Sequence, residues 1–368
     1  MKKNYVTLEE VCVKGSSNIA QKDLEKNEGK YPIYGASGFI KNVDFYAQDK
    51  PYIAVVKDGA GIGRTMMLPA HSSVIGTMQY LLPKDNIDIS YLYYAVTAMN
   101  LAKYYTGATI PHIYFKDYRK EKLPVVDKIE QKKIVEVLSK IDALVIYHKR
   151  QLDDFEVLLK SRFMEMFGDR NFSEVKAADI CDFITKGTTP NANDIYEDFS
   201  EGRIPYIKVY NLSNNGQMLF DERPQFIGTG VHEGLLKRSK VYPGDVLMNI
   251  VGPPLGKFAI VPKEYGEWNI NQAIAIFRPK EKIRPIYLLY ALMQPDILKP
   301  FLHRAVGIRQ LNLSLEQCRE LIIKLPPIDL QNQFADFVEQ VNKSKLEVQK
   351  SLEELETLKK SLMQQYFG

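Results

Sequence analysis

Glycine and proline are missing from two long stretches of this chain, Lys128 to Phe167 and Leu330 to Phe367. Nothing in either stretch interrupts a helix, so each can run for about 40 residues, roughly 60 Å at the helical rise. Cysteine is scarce. Cys12, Cys181 and Cys318 are odd in number and far apart in sequence, which excludes a disulfide frame or a cysteine zinc set and predicts reduced thiols in a cytoplasmic protein that binds no metal. No run of 18 apolar residues occurs, and "MKKNYVTLEE" has two lysines without an apolar segment behind them. A membrane span and a secretory leader are therefore not expected. A net charge of +4 and a pI near 8.6 permit a nucleic-acid partner without requiring one.

Catalytic signatures are missing too. "GPPLGK" (Gly252–Lys257) is one residue short of a phosphate loop and continues with Phe258 where a magnesium-binding hydroxyl would stand. "DGAGIG" (Asp58–Gly63) spaces its glycines by two, which is not the dinucleotide fingerprint. "QPDILK" lacks the acidic residue and lysine of a nuclease, no methyltransferase loop is present, and the five histidines are scattered. The chain is expected to bind without catalysing.

What the sequence does have is a duplication. "LEEVCVKG" matches "AADICDFITKG", "KDGAGIGRTMMLP" matches "IVGPPLGKFAIVP", and "LLPKDNIDISYLYYAV" matches "FRPKEKIRPIYLLYAL". "KLPVVDKIEQKKIVEV" from Lys122 returns as "KLPPIDLQNQFADF" from Lys324. Extra residues in the second copy fall mainly between Thr188 and Gly234. Short runs such as "PYIAVV", "YIKVYNL" and "DVLMNIV" between Gly, Pro, Asn and Asp read as strands and turns. "ISYLYYAVTAMNLAKYY" and "IYLLYALMQPDILKPFL" read as helices. The fold class is α+β: globular portions over 1–126 and 169–326, each followed by a long helix over 127–168 and 327–368.

Within the first long segment Ile134, Leu138, Ile141, Val145, His148, Leu152, Phe155 and Leu159 keep a 4-3 rhythm. Phe334, Val338, Val341, Lys345, Val348, Leu352 and Leu355 repeat it. Such a seam predicts that the two helices pair with each other as an antiparallel coiled coil of pseudo-twofold symmetry; packing of each helix on its own globular portion is the plainer alternative. Off the seam lie Val135, Val137, Leu144, Ile146, Leu158, Phe163 and Met166, a surplus that suits a protein partner or the neighbouring domain.

A twofold-like object suits duplex DNA. Candidate contacts are Lys57, Arg64, His112, Lys116 and Arg119 in the first copy, and Lys208, Asn211, Lys257, Asn271, Gln272, Arg304, Arg309, Gln310 and Asn312 in the second. Arg, Asn and Gln can bond base edges through two atoms, whereas Lys more often takes phosphate; for any one of them a solvated loop position is the plain alternative.

The order of domain, "KLPxxD" and helix, stated twice, resembles the specificity subunit of a type I restriction-modification enzyme. The carriers are the paired "KLPVVDKIEQKKIVEVLSKID" and "KLPPIDLQNQFADFVEQVNKS", the endings Phe167–Gly168 and Phe367–Gly368, "YPIYGASG" (Tyr31–Gly38) and "YPGDVL" (Tyr242–Leu247). The likeness covers nearly the whole chain; "KIEQKKI" departs from "LQNQF" by two residues before the seam. It implies two target-recognition domains that each read half of an asymmetric bipartite double-stranded DNA site, with the helices acting as a ruler and docking two methyltransferase subunits. Those partners would bind S-adenosylmethionine, and separate restriction and translocation subunits would use ATP and Mg; this chain would hold no cofactor. The rival readings are a protein-interaction scaffold that never reads DNA and a self-sufficient modification enzyme.

Overall fold

The structure is a computed structural model that describes residues 4–107, 111–168, 170–306 and 311–368. The chain divides into two compact units, Met1–Arg150 with Gln349–Gly368, and Gln151–Val348. Both long helices therefore contribute to both units.

The first unit contains β1 (Asn4–Thr7), α1 (Leu8–Val11), β2 (Cys12–Ser16), β3 (Tyr31–Gly35), β4 (Gly38–Val43), β5 (Tyr52–Val56), β6 (Thr65–Leu68), β7 (Ser73–Val74), β8 (Met78–Pro83), α2 (Ile89–Ala98), α3 (Phe115–Tyr118), β9 (Lys122–Val125) and the start of α4 (Lys128–Phe167). Its central sheet runs β2-β8-β5-β6, with β4-β3-β7 and β1-β9 beside it. All five residues of β5 are buried, and alternation sends them to two different cores. Ile53 and Val55 pack with α2 and Leu81; Tyr52, Ala54 and Val56 pack with Ile33 and Val43 of the smaller sheet. Asp88 starts α2 by accepting hydrogen bonds from the N–H groups of Ser90 and Tyr91. Asn100, at φ 48°, separates α2 from a short 3₁₀ turn at Leu101–Tyr104, so the single helix read from the sequence is broken there.

In the second unit the elements are β10 (Ser173–Lys176), α5 (Ala177–Ile180), β11 (Cys181–Lys186), β12 (Ile195–Tyr196), β13 (Arg203–Ile207), β14 (Phe226–Gly228), α6 (Thr229–Glu233), β15 (Lys240–Val241), β16 (Val246–Asn249), β17 (Val251–Gly252), β18 (Phe258–Ile260), β19 (Trp268–Ile270), β20 (Ile274–Pro279), α7 (Pro285–Leu292), α8 (Pro295–Leu302), β21 (Leu311–Asn312), α9 (Leu315–Arg319), β22 (Ile322–Leu325) and the start of α10 (Ile328–Phe367). The sheet β11-β20-β16-β18 repeats the order of β2-β8-β5-β6, and β10-β22 repeats β1-β9. The extra residues build most of a five-stranded sheet, β12-β14-β13-β19-β15, around buried Trp268. Pro295 opens α8 after an extended Gln294, which splits the second predicted helix as well.

The repeated "KLP" letters are not structurally equivalent. Pro124 pairs with Tyr5 of β1, and Lys324 pairs with Glu174 of β10, so Pro124 corresponds to Lys324 rather than to Pro326. Two tyrosines agree: the Tyr91 hydroxyl donates to the Pro124 carbonyl (2.8 Å), the Tyr287 hydroxyl to that of Lys324 (2.6 Å). Two buried glutamines fix the same register. Gln131 Oε1 accepts from the N–H of Asp88, and Gln331 Oε1 from that of Arg284, both at 2.8 Å. The two-residue departure in the sequence is thus a slip in the letters, while strand-to-helix spacing is the same in both copies.

The predicted seam is present inside each unit. Ile134, Leu138, Ile141, Val338, Val341 and Leu352 are buried, and Val145, Leu152, Phe155, Val348 and Leu355 half-buried. In the first unit Phe367, at the end of α10, joins Ile134, Leu138 and Tyr91 in one core. In the second, Phe163 and Phe167, at the end of α4, pack on Phe334 and Tyr287. Each unit thus pairs the start of one long helix with the end of the other. Packing on the globular portions also occurs and takes up part of the off-seam surplus: Phe163 and Met166 are buried and Val135 half-buried, while Val137, Leu144, Ile146 and Leu158 stay exposed.

Candidate nucleic-acid interface

Loops at one set of strand ends gather most of the candidate residues, and the two units build these loops with the same backbone bonds. In the first unit β5 ends at Val56 and the chain turns through Lys57–Arg64. The N–H of Lys57 donates to the carbonyl of Thr77 (3.0 Å), the N–H of Ile113 to that of Lys57 (2.9 Å), and the N–H of Gly63 to that of Val56 (2.8 Å). In the second unit β16 ends at Asn249. There the N–H of Ile250 donates to Ala273 (2.8 Å), that of Leu313 to Ile250 (2.9 Å), and that of Gly256 to Asn249 (3.3 Å). The glycines that resembled nucleotide motifs close this turn: Gly63 (φ 78°) and Gly256 (φ 77°) lie in the left-handed region that a side chain disfavours. A Cβ on Gly63 would stand 2.4 Å from the backbone nitrogen of Ala102.

This common frame puts Arg64 and Lys257 at equivalent positions, since each bonds by its backbone to the last residue of the preceding strand. His112 and Asn312 are equivalent too: His112 bridges Thr106 and Asp58, while Asn312 bridges Val306 and pairs with Val251. Arg64 is exposed, and its guanidinium donates to the carbonyl of Ala36 (3.2 Å) at the tip of the β3–β4 hairpin. Lys57 and His112 both face Asp58, at 3.7 and 2.7 Å. The exposed ring of Tyr114 stacks on His112 and carries Lys116 over its face at 5.4 Å.

In the second unit Lys208 follows β13, and the carbonyl of the preceding Ile207 accepts the N–H of Asn271 (3.1 Å). Lys208, Asn271 and exposed Gln272 therefore lie together beside the Thr188–Thr189 loop, to which the Gln272 N–H donates (3.5 Å). Arg304 and Asn312 are exposed near the Val306 bridge. Arg309 and Gln310 lie outside the described residues.

One candidate, Asn211, is corrected by the structure. Asn211 is fully buried, and its amide is consumed by the N–H of Lys208 (2.9 Å) and by the carbonyls of Leu219 and Arg223 (both 3.3 Å). It shapes the loop and offers nothing to a base. Arg119 caps the end of α3, three residues after Lys116, and its exposed side chain pairs with Glu9 of α1 (3.2 Å).

Several residues that build or line this region went unread in the sequence. Asn249 is fully buried and holds the 250–257 turn by accepting the N–H of Lys257 (2.6 Å) and donating to the carbonyl of Pro254 (2.7 Å). Phe39 is 59% exposed at the hairpin tip, and Arg223 stacks on Tyr210 at 4.8 Å. The tip glycines of "YPIYGASG" were a signal for the hairpin; Arg223 has no sequence signal beyond lying in the extra segment.

One cluster has metal-ligand residue types. Buried His232 donates from Nε2 to the Glu267 carboxylate (2.9 Å) and accepts at Nδ1 from the Asn269 amide (3.1 Å), with Glu233 nearby. The ammonium of Lys240 bonds both glutamates (2.6 and 3.2 Å), so one cation is shared between the two carboxylates. The three thiols are buried, and burial pushes each up to about 12, so none is poised as a ligand or nucleophile. No helix among the described residues is long and apolar enough to cross a membrane.

Residues 2–156 and 169–357 match the family described as type I restriction modification DNA specificity domain. The type I restriction enzyme MjaVIII specificity subunit of Methanocaldococcus jannaschii is 24% identical over 386 residues, covering 95% of this chain and 88% of that protein. The EcoBI specificity subunit of Escherichia coli is 25% identical over 261 residues, covering 64% of this chain and 54% of that protein. Among solved structures, the S subunit of a type I restriction-modification system from M. genitalium aligns with a TM-score of 0.59 at 18% identity, covering 100% of this chain and 97% of that one. A chain from a study of complex assembly and conformational transition in the type I R-M system aligns at 0.60 and 14% identity, covering 100% and 98%. At these identities the structural likeness speaks to the fold.

Proposed function

The chain belongs to the type I restriction modification DNA specificity family, and from that premise we propose that it is the non-catalytic subunit that chooses the DNA sequence for a type I restriction-modification enzyme. Each unit reads one half of a bipartite double-stranded site. The observation that carries this reading is the repeated loop frame: the same backbone bonds present Arg64 and His112 in one unit, Lys257 and Asn312 in the other. A shared frame with unlike side chains reads two unlike half-sites, so the target is asymmetric. Lys57, Lys116, Lys208 and Arg304 take phosphates, while Arg64, Asn271, Gln272 and Asn312 reach base edges.

The exposed apolar residues on α4, Val137, Leu144, Ile146 and Leu158, support docking of methyltransferase subunits along the paired helices, one for each unit. Those partners carry S-adenosylmethionine and methylate adenine, and a further subunit uses ATP and Mg to translocate and cut. Work on intracellular DNA places the assembly in the cytoplasm.

The test is adenine methylation across the host genome with and without this gene. Loss of one bipartite, asymmetric motif on deletion is expected. An unchanged methylome in a host that expresses the partner methyltransferase would overturn the reading in favour of a protein scaffold.

A further inference from the structure

The segment that the second unit adds to the common plan brings together two cations that make no ion pair among the described residues. Lys208, half-buried, stands next to Arg223, and burial together with the Arg223 charge holds its ammonium below the usual lysine range. Among the described residues neither the Lys208 ammonium nor the Arg223 guanidinium has a hydrogen bond or an ion pair.

Lys208 is half-buried and Arg223 exposed, and several other half-buried cations of this unit differ from Lys208 in having an acidic partner. Lys240 bonds Glu233 and Glu267, Arg278 bonds Asp245 (2.7 Å), Arg203 pairs with Asp198 (2.8 Å), and Lys345 meets Glu156. Lys208 loses hydration beside a like charge, a cost that an anion reaching both side chains would offset, and exposed Arg223 leaves that approach open from solvent. Geometry favours an oxyanion that offers two oxygens to the guanidinium. Arg223 lies over the ring of Tyr210 at 4.8 Å, an arrangement that fixes the guanidinium plane and leaves its edge to bond an oxyanion. The hydroxyl of Tyr210, the ring under Arg223, is a donor without a partner among the described residues.

Position decides which anion. Lys208 follows Ile207, whose carbonyl holds Asn271, so the pair borders the loop edge where Asn271 and Gln272 are presented. The Arg223 carbonyl is tied to buried Asn211, which also anchors the N–H of Lys208. One buried amide thus sets both cations.

We propose that Lys208 and Arg223, the latter braced on Tyr210, form a binding site for a single backbone phosphate of duplex DNA, present in the second unit alone. This rests on the DNA-reading function above and adds a fixed point to it. Phosphate contacts position without specifying sequence, so the site clamps the duplex in register while the neighbouring Asn271 and Gln272 read bases.

The experiment measures binding of the full chain to two labelled duplexes, one with the methylation motif and one without, across a salt series. Lys208→Gln and Arg223→Gln are expected to weaken both duplexes alike and to lower the slope of log K against log[salt] by about 0.9 for the phosphate lost. Arg223→Lys, which keeps the charge, should retain most of that slope, an outcome a purely structural role would not produce. An unchanged slope in correctly folded glutamine variants overturns the site, and so does a loss confined to the motif duplex, which would make these residues base readers. Wild-type chain with no salt-dependent binding to either duplex would instead overturn the DNA-reading function itself.

Discussion

Asp142, on the first long helix, receives the ammonium of Lys359 from the last one. The same carboxylate accepts the hydroxyl of Tyr94 on α2 at 2.8 Å, so one acid joins the two long helices to the globular part of its unit. Burial and then the Asp142 bond push the Tyr94 hydroxyl well above the ordinary tyrosine range, which keeps it a donor. Asp142→Ala would leave a partly enclosed ammonium and a phenol without their acceptor. The expected destabilisation is about 1–3 kcal/mol, and Tyr94→Phe should cost less, about 0.5–1.5 kcal/mol. Urea unfolding of the two variants checks the order; equal stability of Asp142→Ala and wild type would mean that the three-way junction contributes nothing.

Gln131 and Gln331 offer a sharper comparison because they make the same bond in two places. Replacing either by Ala orphans a backbone N–H, of Asp88 or of Arg284, and also frees the carbonyl of Val126 or Pro326. Each change should cost on the order of 2–4 kcal/mol. Hydrogen exchange would localise the damage: Gln131→Ala should raise exchange in α2, Gln331→Ala in α7. Uniform exchange changes would contradict the local role.

Gly63→Ala tests the turn that presents Arg64. The left-handed backbone and the close Ala102 nitrogen both oppose a Cβ, so the loop must shift or the protein lose roughly 1–3 kcal/mol. A shifted loop should weaken DNA binding at least tenfold while leaving the second unit's thermal transition in place. Wild-type affinity in this variant would show that the 57–64 turn does not touch DNA.

The buried thiols predict an alkaline limit. Each folded-state value is raised to about 12 against roughly 8.5 in an unfolded chain. The folded state therefore holds protons that the unfolded state releases, and this contribution, fully present below about 8.5, is lost as pH rises toward 12. Stability measured by denaturant should decline through that window, and Cys12→Ala should flatten the decline. Native thiols should also resist an aromatic disulfide reagent at pH 8; rapid reaction of all three would show that they are not enclosed.

Proposed as a ruler, the helices can be shortened in register. Deleting seven residues from the middle of both preserves the 4-3 seam and removes ~10.5 Å of helix, about three base pairs of duplex. The methylated motif should keep its two half-sites and lose about that much spacer. An unchanged spacer would end the ruler reading.

Much of this architecture was legible in the residues because the signals were long. Forty positions without glycine or proline, with Leu138, Val145 and Leu152 recurring on one face, leave little choice but a helix with a seam. The cysteine pair Cys12 and Cys181 marked equivalent strands, and the structure pairs them as read. Letters misled where the match was short: "KLP" recurs two residues out of step because the strand needs only a register, and either Pro124 or Lys324 can supply the carbonyl that a tyrosine needs. Side-chain destiny in loops was least readable. Asn211 and Asn271 look alike in sequence, yet one is enclosed by three backbone partners and the other lies at the loop edge, a difference set by strands β13 and β19 that come from distant parts of the chain. Arg223 had no local pattern at all, since its meaning comes from Lys208 standing beside it.

The division of the chain into its two units has a consequence for biosynthesis. The unit Gln151–Val348 is contiguous, whereas its neighbour requires Gln349–Gly368 in addition to the first 150 residues. Phe367 enters a core with Tyr91, Ile134 and Leu138, and the Tyr5 hydroxyl donates to the carbonyl of Gly368 (3.3 Å). Synthesis runs from the N-terminal side, so residues 4–150 emerge well before 349–368, and the apolar surface that takes Phe367 stays open until that stretch of α10 follows, about 200 residues after Arg150.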